Sequence, residues 1–163
     1  NLRSLDDPTP QPNASGSRQK AAAVENHIPE NAVVIYTDGA SSGNPGPSGI
    51  GVVLRWGEHQ REISRPIGKA TNNIAELEAI RAALEAVKNP KLPVRIYTDS
   101  GYAYGLLTLG WKAKKNIQQV EEIRSLLAAF ADVKILKVKG HAGDPGNERA
   151  DHLATTAIRK GGA

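Results

Sequence analysis

Two rhythms of apolar residues run along the chain, one of period two and one of helical period. Ala32-Val-Val-Ile-Tyr-Thr-Asp38 is a continuous apolar, β-branched run that stops at a carboxylate, which predicts a strand covered on both faces. Val94-Arg-Ile-Tyr-Thr-Asp99 repeats the pattern and its Tyr-Thr-Asp ending. Ile50, Val52, Leu54 and Trp56 alternate with Gly51, Val53 and Arg55, a strand with one strongly apolar face. Gly57-Glu58 reads as a hairpin tip, followed by a charged edge strand from His59 that ends at Pro66. The last strand is Val133 to Val138. Helical spacing marks Ile74, Leu77, Ile80, Leu84 and Val87, with Thr71 or Asn72 as N-cap and Asn89-Pro90 as stop. A short helix follows Ser100. A longer one carries Ile117, Val120, Ile123, Leu126, Leu127 and Phe130 inward, and a final one carries Ala150, Leu153, Ala154 and Ile158. Gly39 to Gly49, with four glycines and two prolines, reads as a structured turn.

The order is strand, hairpin, helix, strand, two helices, strand, helix. It predicts an α/β fold with a mixed five-stranded sheet, three antiparallel strands and then two parallel ones, flanked by helices. Residues 32–160 form the folded domain in this reading. Residues 1–31, with Asp7-Pro-Thr-Pro-Gln-Pro12 and no apolar period, read as a linker or tail, and 161–163 as a C-terminal tail.

Composition narrows the chemistry. There is no cysteine among the 163 residues, so disulfides and thiolate metal sites are excluded, and any metal must take oxygen or one of four histidines. No run approaches transmembrane length, and the reading is a soluble, cytoplasmic monomer. No methionine occurs, even at position 1, so the chain is read as processed or as cut from something longer, which leaves an upstream domain joined through 1–31 open. Residues 32–163 hold eighteen basic and thirteen acidic residues, a net +5. With four acids gathered in one site, the remaining surface suits a polyanion.

Those four acids follow from the elements. If the two Tyr-Thr-Asp strands are parallel neighbours, Asp38 and Asp99 face each other across about 4.8 Å, and carboxylates that close require a proton or a cation between them. Glu76 precedes Ile80 and Ala83 at helical spacing, which sets it on the edge of the buried stripe; Glu78 turns towards the wetter side. Asp151 flanks the inward stripe of the last helix. An all-oxygen cluster of this kind suits a hard divalent cation, Mg²⁺ or Mn²⁺. Several carboxylates can hold two ions about 4 Å apart, an arrangement that clamps an in-line phosphoryl displacement.

Five segments carry a resemblance: Tyr36-Thr-Asp-Gly-Ala40, Gly43-Asn-Pro-Gly-Pro-Ser-Gly49, Thr71-Asn-Asn-Ile-Ala-Glu-Leu-Glu78, Tyr97-Thr-Asp-Ser100 and Gly140-His-Ala-Gly-Asp-Pro-Gly-Asn-Glu-Arg-Ala-Asp151. In this order and spacing the chain resembles a type 1 ribonuclease H over about residues 32–160. The resemblance implies endonucleolytic cleavage of the RNA strand of RNA–DNA hybrids by two-metal-ion catalysis, leaving 5′-phosphate and 3′-hydroxyl ends. It implies that Asp38 bridges two Mg²⁺ ions, Asp151 completes the site that activates water, and Glu76 and Asp99 complete the site at the leaving 3′-oxygen. Glu76 is further implied to touch a ribose 2′-hydroxyl. His141 is implied to assist proton transfer or product release. Asn44, Asn72 and Asn73 match positions at the minor groove near the cut. Thr71 and Asn116 match a phosphate pocket for the DNA strand, and Trp111, Lys112, Lys114 and Lys115 match the DNA-strand channel. Many members insert a helix and basic loop before the tryptophan segment. Here only Thr108-Leu-Gly110 stands there, so most of that basic protrusion is missing.

Plainer readings stand beside these. A lone Asp at a strand end is a turn former, Asp144 a loop or capping residue, and Trp111 a plug for the core. Three rival functions fit parts of the pattern. Another nuclease or transposase of this fold would lack the Asn72-Asn73 pair and the Gly-His-Ala-Gly loop. A receiver domain would lack the Gly49–Pro66 hairpin. A non-catalytic hybrid-binding module would have lost a carboxylate.

Overall fold

The computed structural model describes residues 28–138 and 144–161. Most of the expected linker (1–27), His141 and the last two residues lie outside the described residues. Five strands, β1 (Val33–Ser41), β2 (Gly46–Trp56), β3 (His59–Ala70), β4 (Val94–Thr98) and β5 (Val133–Lys137), form one sheet in the order β3-β2-β1-β4-β5. The β1–β2 and β2–β3 pairs are antiparallel, and β1–β4 and β4–β5 are parallel. This is the expected mixed sheet. Four helices, α1 (Asn72–Ala86), α2 (Gly101–Thr108), α3 (Ile117–Ala128) and α4 (Pro145–Gly161), flank it.

The sheet has an apolar layer on each face. On one, Ile35, Val52, Leu54 and Ile96 meet Leu77, Ile80 and Leu84 of α1, Leu106 of α2, and Val120 and Ile123 of α3. On the other, Val53 and Tyr36 meet Ala150 and Leu153 of α4. None of the helices among the described residues is long and apolar enough to cross a membrane.

Three local expectations change. The Gly-rich segment is mostly strand: β1 runs on to Ser41, β2 starts at Gly46, and Gly39 pairs with Ile50. Two of its four glycines, Gly39 and Gly49, and Gly51 just beyond it sit where helices press on the sheet. A Cβ at Gly39 would lie 2.2 Å from the backbone of Ala75 in α1, and one at Gly51 would lie 2.0 Å from the carbonyl oxygen of Ala150 in α4. Pro66 does not end β3, which continues to Ala70 through a bulge where Gly49 opposes Pro66 and Ser48 opposes Gly68. As an edge strand, β3 tolerates a proline that donates no hydrogen bond. Ile117 is 54 % exposed rather than inward, because it opens α3 ahead of the turn that packs Val120. The hairpin tip stands as expected, with Trp56 paired to His59 across Gly57-Glu58.

Candidate functional site

The two Tyr-Thr-Asp endings lie side by side. Tyr36 is in register with Tyr97, and their rings stack at 5.1 Å. The Thr37 hydroxyl donates to the Tyr97 carbonyl at 3.1 Å, tying the strand ends together. Continued two residues, this register sets Asp38 beside Asp99. Glu76 arrives from α1 because Gly39 lets the helix backbone approach; the Gly39 N–H then donates to Glu76 Oε1 at 2.9 Å. One carboxylate oxygen each from Asp38, Glu76 and Asp99 lies within 4.8 Å of the others.

Asp151 stands outside that mutual set, yet its carboxyl is within hydrogen-bonding reach of Asp38. It is carried by α4, which is seated on β2 through Gly49 and Gly51. Ser64 of β3 donates to the Leu153 carbonyl at 2.7 Å, and Arg149 makes two 2.7 Å bonds to Glu62. Asp144 caps this helix, accepting from the N–H groups of Gly146 and Asn147. Asp38, Glu76, Asp99 and Asp151 all line one cavity of about 450 Å³ with Asn72, Asn73 and Tyr102.

Crowding shows in the electrostatics. Without a bound ion, burial and then the charge of Glu76 push the Asp38 carboxyl up to about 10. Burial and then Asp99 push Glu76 up to about 8, against the hydrogen bond from Gly39. None of the ion pairs among the described residues neutralises these acids. An all-oxygen donor set that is short of positive charge fits a hard divalent cation.

A second cavity, about 590 Å³, runs from Asn44, Thr71 and Asn73 past Ile74, Tyr102 and Leu106 to Trp111, Lys112, Lys114, Lys115 and Asn116. Asn73 and Tyr102 line both cavities, so the two adjoin there. Thr71 is the N-cap of α1, its hydroxyl accepting from Ile74 N at 3.2 Å, and Asn44 Oδ1 accepts from Asn72 N at 3.0 Å. Asn116 adopts a left-handed backbone at the start of α3, and its amide donates to the Tyr102 hydroxyl at 3.1 Å. Trp111 is half exposed, with its ring laid on Gly105 of α2, where a Cβ would lie 2.1 Å from it. It does not plug the core.

Of the nine substrate-contact residues expected from the sequence, eight line the long cavity and Asn72 lines the acidic one. Sequence reasoning missed Tyr102. The available signal was its place three residues after Asp99, on the first turn of a helix capped by Ser100.

Comparison with known proteins bears on the family and the fold. The profile of the family described as RNase H matches residues 30–159. A ribonuclease H of Agrobacterium fabrum is 48 % identical over 134 residues, covering 75 % of this chain and 91 % of the relative. One from Syntrophomonas wolfei is 40 % identical over 140 residues, covering 78 % and 96 %. Among solved structures, RNase H1 from the halophilic archaeon Halobacterium salinarum superposes with a TM-score of 0.68 at 36 % identity, covering 79 % of this chain and 98 % of that one. LC11-RNase H1 in complex with an RNA/DNA hybrid superposes with a TM-score of 0.67 at 29 % identity, covering 80 % and 99 %.

Proposed function

The chain belongs to the RNase H family, type 1, and from that premise we propose that it is an endonuclease hydrolysing the RNA strand of RNA–DNA hybrids, with 5′-phosphate and 3′-hydroxyl products. The observation that carries this reading is an acidic cavity adjoining a lysine-lined one, with Asn73 and Tyr102 lining both. A polyanion laid across the two brings a phosphate to the carboxylates. The hybrid held by the related LC11-RNase H1 supports the substrate class.

Asp38, Glu76, Asp99 and Asp151 would hold the ions, Mg²⁺ with Mn²⁺ as a substitute. When two are bound they lower the pKa of water and stabilise the charge that develops on the leaving oxygen. The chain's own residues do the rest. The Gly39 N–H fixes the Glu76 carboxylate, and burial of Asp38 keeps its field strong. Asn72 and Asn73 at the start of α1, and Asn44 from the turn between β1 and β2, offer amides that both donate and accept, as base edges in the minor groove and ribose 2′-hydroxyls require. Thr71 and Asn116 hold a phosphate of the DNA strand. Trp111 stacks, and Lys112, Lys114 and Lys115 supply charge along that strand. With only Leu109 and Gly110 between α2 and Trp111, hybrid affinity rests on the short segment that follows rather than on a basic protrusion. His141 assists proton transfer or product release, so His141→Ala slows turnover without ending it.

The test is incubation of the protein with labelled hybrid, duplex RNA and duplex DNA, with and without Mg²⁺. Only RNA opposite DNA is cut, and only with the metal. A magnesium-replete sample that leaves the hybrid intact overturns the proposal.

A further inference from the structure

Lys137 is the last residue of β5, and it pairs in register with Thr98, the residue before Asp99. The strand end is held there by a 2.9 Å bond from Val138 N to the Thr98 carbonyl. Alternation along β5 puts Lys137 on the same face as buried Ile135, the face that α1 to α3 cover. Its side chain therefore rises past the start of α2. A Cβ on Gly101 would lie 3.6 Å from Lys137 Cε. Gly101 is itself part of the acidic cavity, between Ser100 and Tyr102. Lys137 Cε therefore passes beside Gly101, one residue of the cavity wall, and the ammonium is one bond beyond it. The residue is exposed and makes no ion pair with any described carboxylate, Asp99 included. A lysine on an edge strand is ordinarily a solvated charge that discourages edge pairing. What distinguishes this one is the direction its stem takes.

Building on the reading of the acidic cavity as a hybrid nuclease site, we propose that Lys137 is a positioning residue for the strand that is cut, its ammonium binding an RNA phosphate adjacent to the one held at the carboxylates. Lys112, Lys114 and Lys115 line the long cavity and serve the opposite strand; Lys137 lines neither and stands beside Asp99. A second phosphate held near the reacting one fixes the register of the backbone over the acids, which is the role of phosphate contacts in general. It contributes binding that is equal in the ground and transition states, so it acts on KM.

The experiment compares wild type, Lys137→Ala and Lys137→Arg on a hybrid with Mg²⁺ across about 50 to 200 mM salt, with melting curves as a control for folding. Lys137→Ala raises KM about three- to ten-fold, lowers the slope of log KM against log salt by about 0.9, and leaves kcat within about two-fold. Lys137→Arg restores both KM and slope. In a second arm the RNA strand carries one uncharged methylphosphonate at successive positions beside the cut. Wild type loses affinity at one position, and Lys137→Ala shows no further loss there. An unchanged KM and salt slope in Lys137→Ala overturns the proposal, as does equal sensitivity of both proteins to every methylphosphonate. Failure of the wild type to cut hybrid defeats the underlying nuclease reading, whereas normal wild-type cleavage with an indifferent Lys137→Ala defeats only the role of Lys137.

Discussion

Asp38 is where folding and chemistry oppose each other most sharply. The fold leaves it 6 % exposed and sets two further carboxylates within reach. Its ordinary value is 3.8 and that of Glu76 is 4.5, and both are raised in the metal-free fold, to about 10 and about 8. The folded state thus binds protons that the unfolded chain releases. Stability from these groups is fully present below their ordinary values, falls as pH rises, and levels off only past the raised ones. The metal-free protein, held in chelator, therefore melts at progressively lower temperature between pH 5 and pH 9. Mg²⁺ raises the melting temperature more at pH 9 than at pH 6, since the ions displace those protons. A melting temperature that stays flat with pH in chelator contradicts this. Asp38→Asn keeps the shape and removes the charge. It abolishes cleavage, flattens the pH dependence, and raises the metal-free melting temperature by several degrees, at about 2–4 °C per kcal/mol for a domain of this size. Melting in chelator and a hybrid assay on the same sample check both halves.

At the scale of elements, the site depends on how closely two helices approach the sheet. Gly39 admits α1 and delivers Glu76, while Gly49 and Gly51 admit α4 and deliver Asp151. Gly39→Ala drives a methyl into the α1 backbone, which cannot rotate away. It costs about 1–3 kcal/mol of stability, the usual range for overpacking, and also moves Glu76 off its bond to Gly39 N, weakening Mg²⁺ binding. Chemical denaturation and a Mg²⁺ titration followed by calorimetry measure the two effects; a variant with normal stability and metal affinity refutes the packing account. This is also where the sequence was only partly legible. A glycine that makes room for a helix and a glycine that makes a turn are the same letter, so the Gly39–Gly49 stretch read as a turn, although β1 and β2 occupy most of it. Pro66 misled for a related reason: whether a proline stops a strand depends on whether a neighbour needs its N–H, and β3 is an edge. The three clustered carboxylates were legible because short-range patterns place them: two strand ends with one ending, and one helix edge set by its spacing to Ile80 and Ala83. Tyr102 was not, because its importance comes from the meeting of α2, the start of α3 and the acidic cavity, separated in sequence and joined only by the fold.

Considered whole, the molecule separates charge by place. The acids converge at the ends of β1 and β4, while Lys112, Lys114 and Lys115 collect in the segment before α3, on the long cavity. That segment is held by Arg124, whose guanidinium donates to the carbonyls of Leu106 and Trp111 at 2.8 and 3.0 Å, and by the Trp111 ring seated on Gly105. The lysines are thereby presented on a braced turn, so their contribution to binding is electrostatic and should appear as counterion release. Replacing all three with alanine lowers the slope of log KM against log salt by about two to three, one unit or a little less for each phosphate that is no longer neutralised. Near 50 mM salt the KM defect is large, and it narrows as salt rises because screening weakens the same lysine–phosphate attraction in the wild type. The kcat at saturating hybrid stays close to wild type, because the carboxylates are untouched. Trp111→Ala separates stacking from charge: it raises KM while leaving the salt slope unchanged, since every lysine still meets its phosphate. Steady-state measurements over a salt series decide between the outcomes. A triple variant whose slope matches wild type places the DNA strand elsewhere on the surface, and a Trp111→Ala slope that falls with the lysines' shows that the ring acts by holding them rather than by stacking on a base.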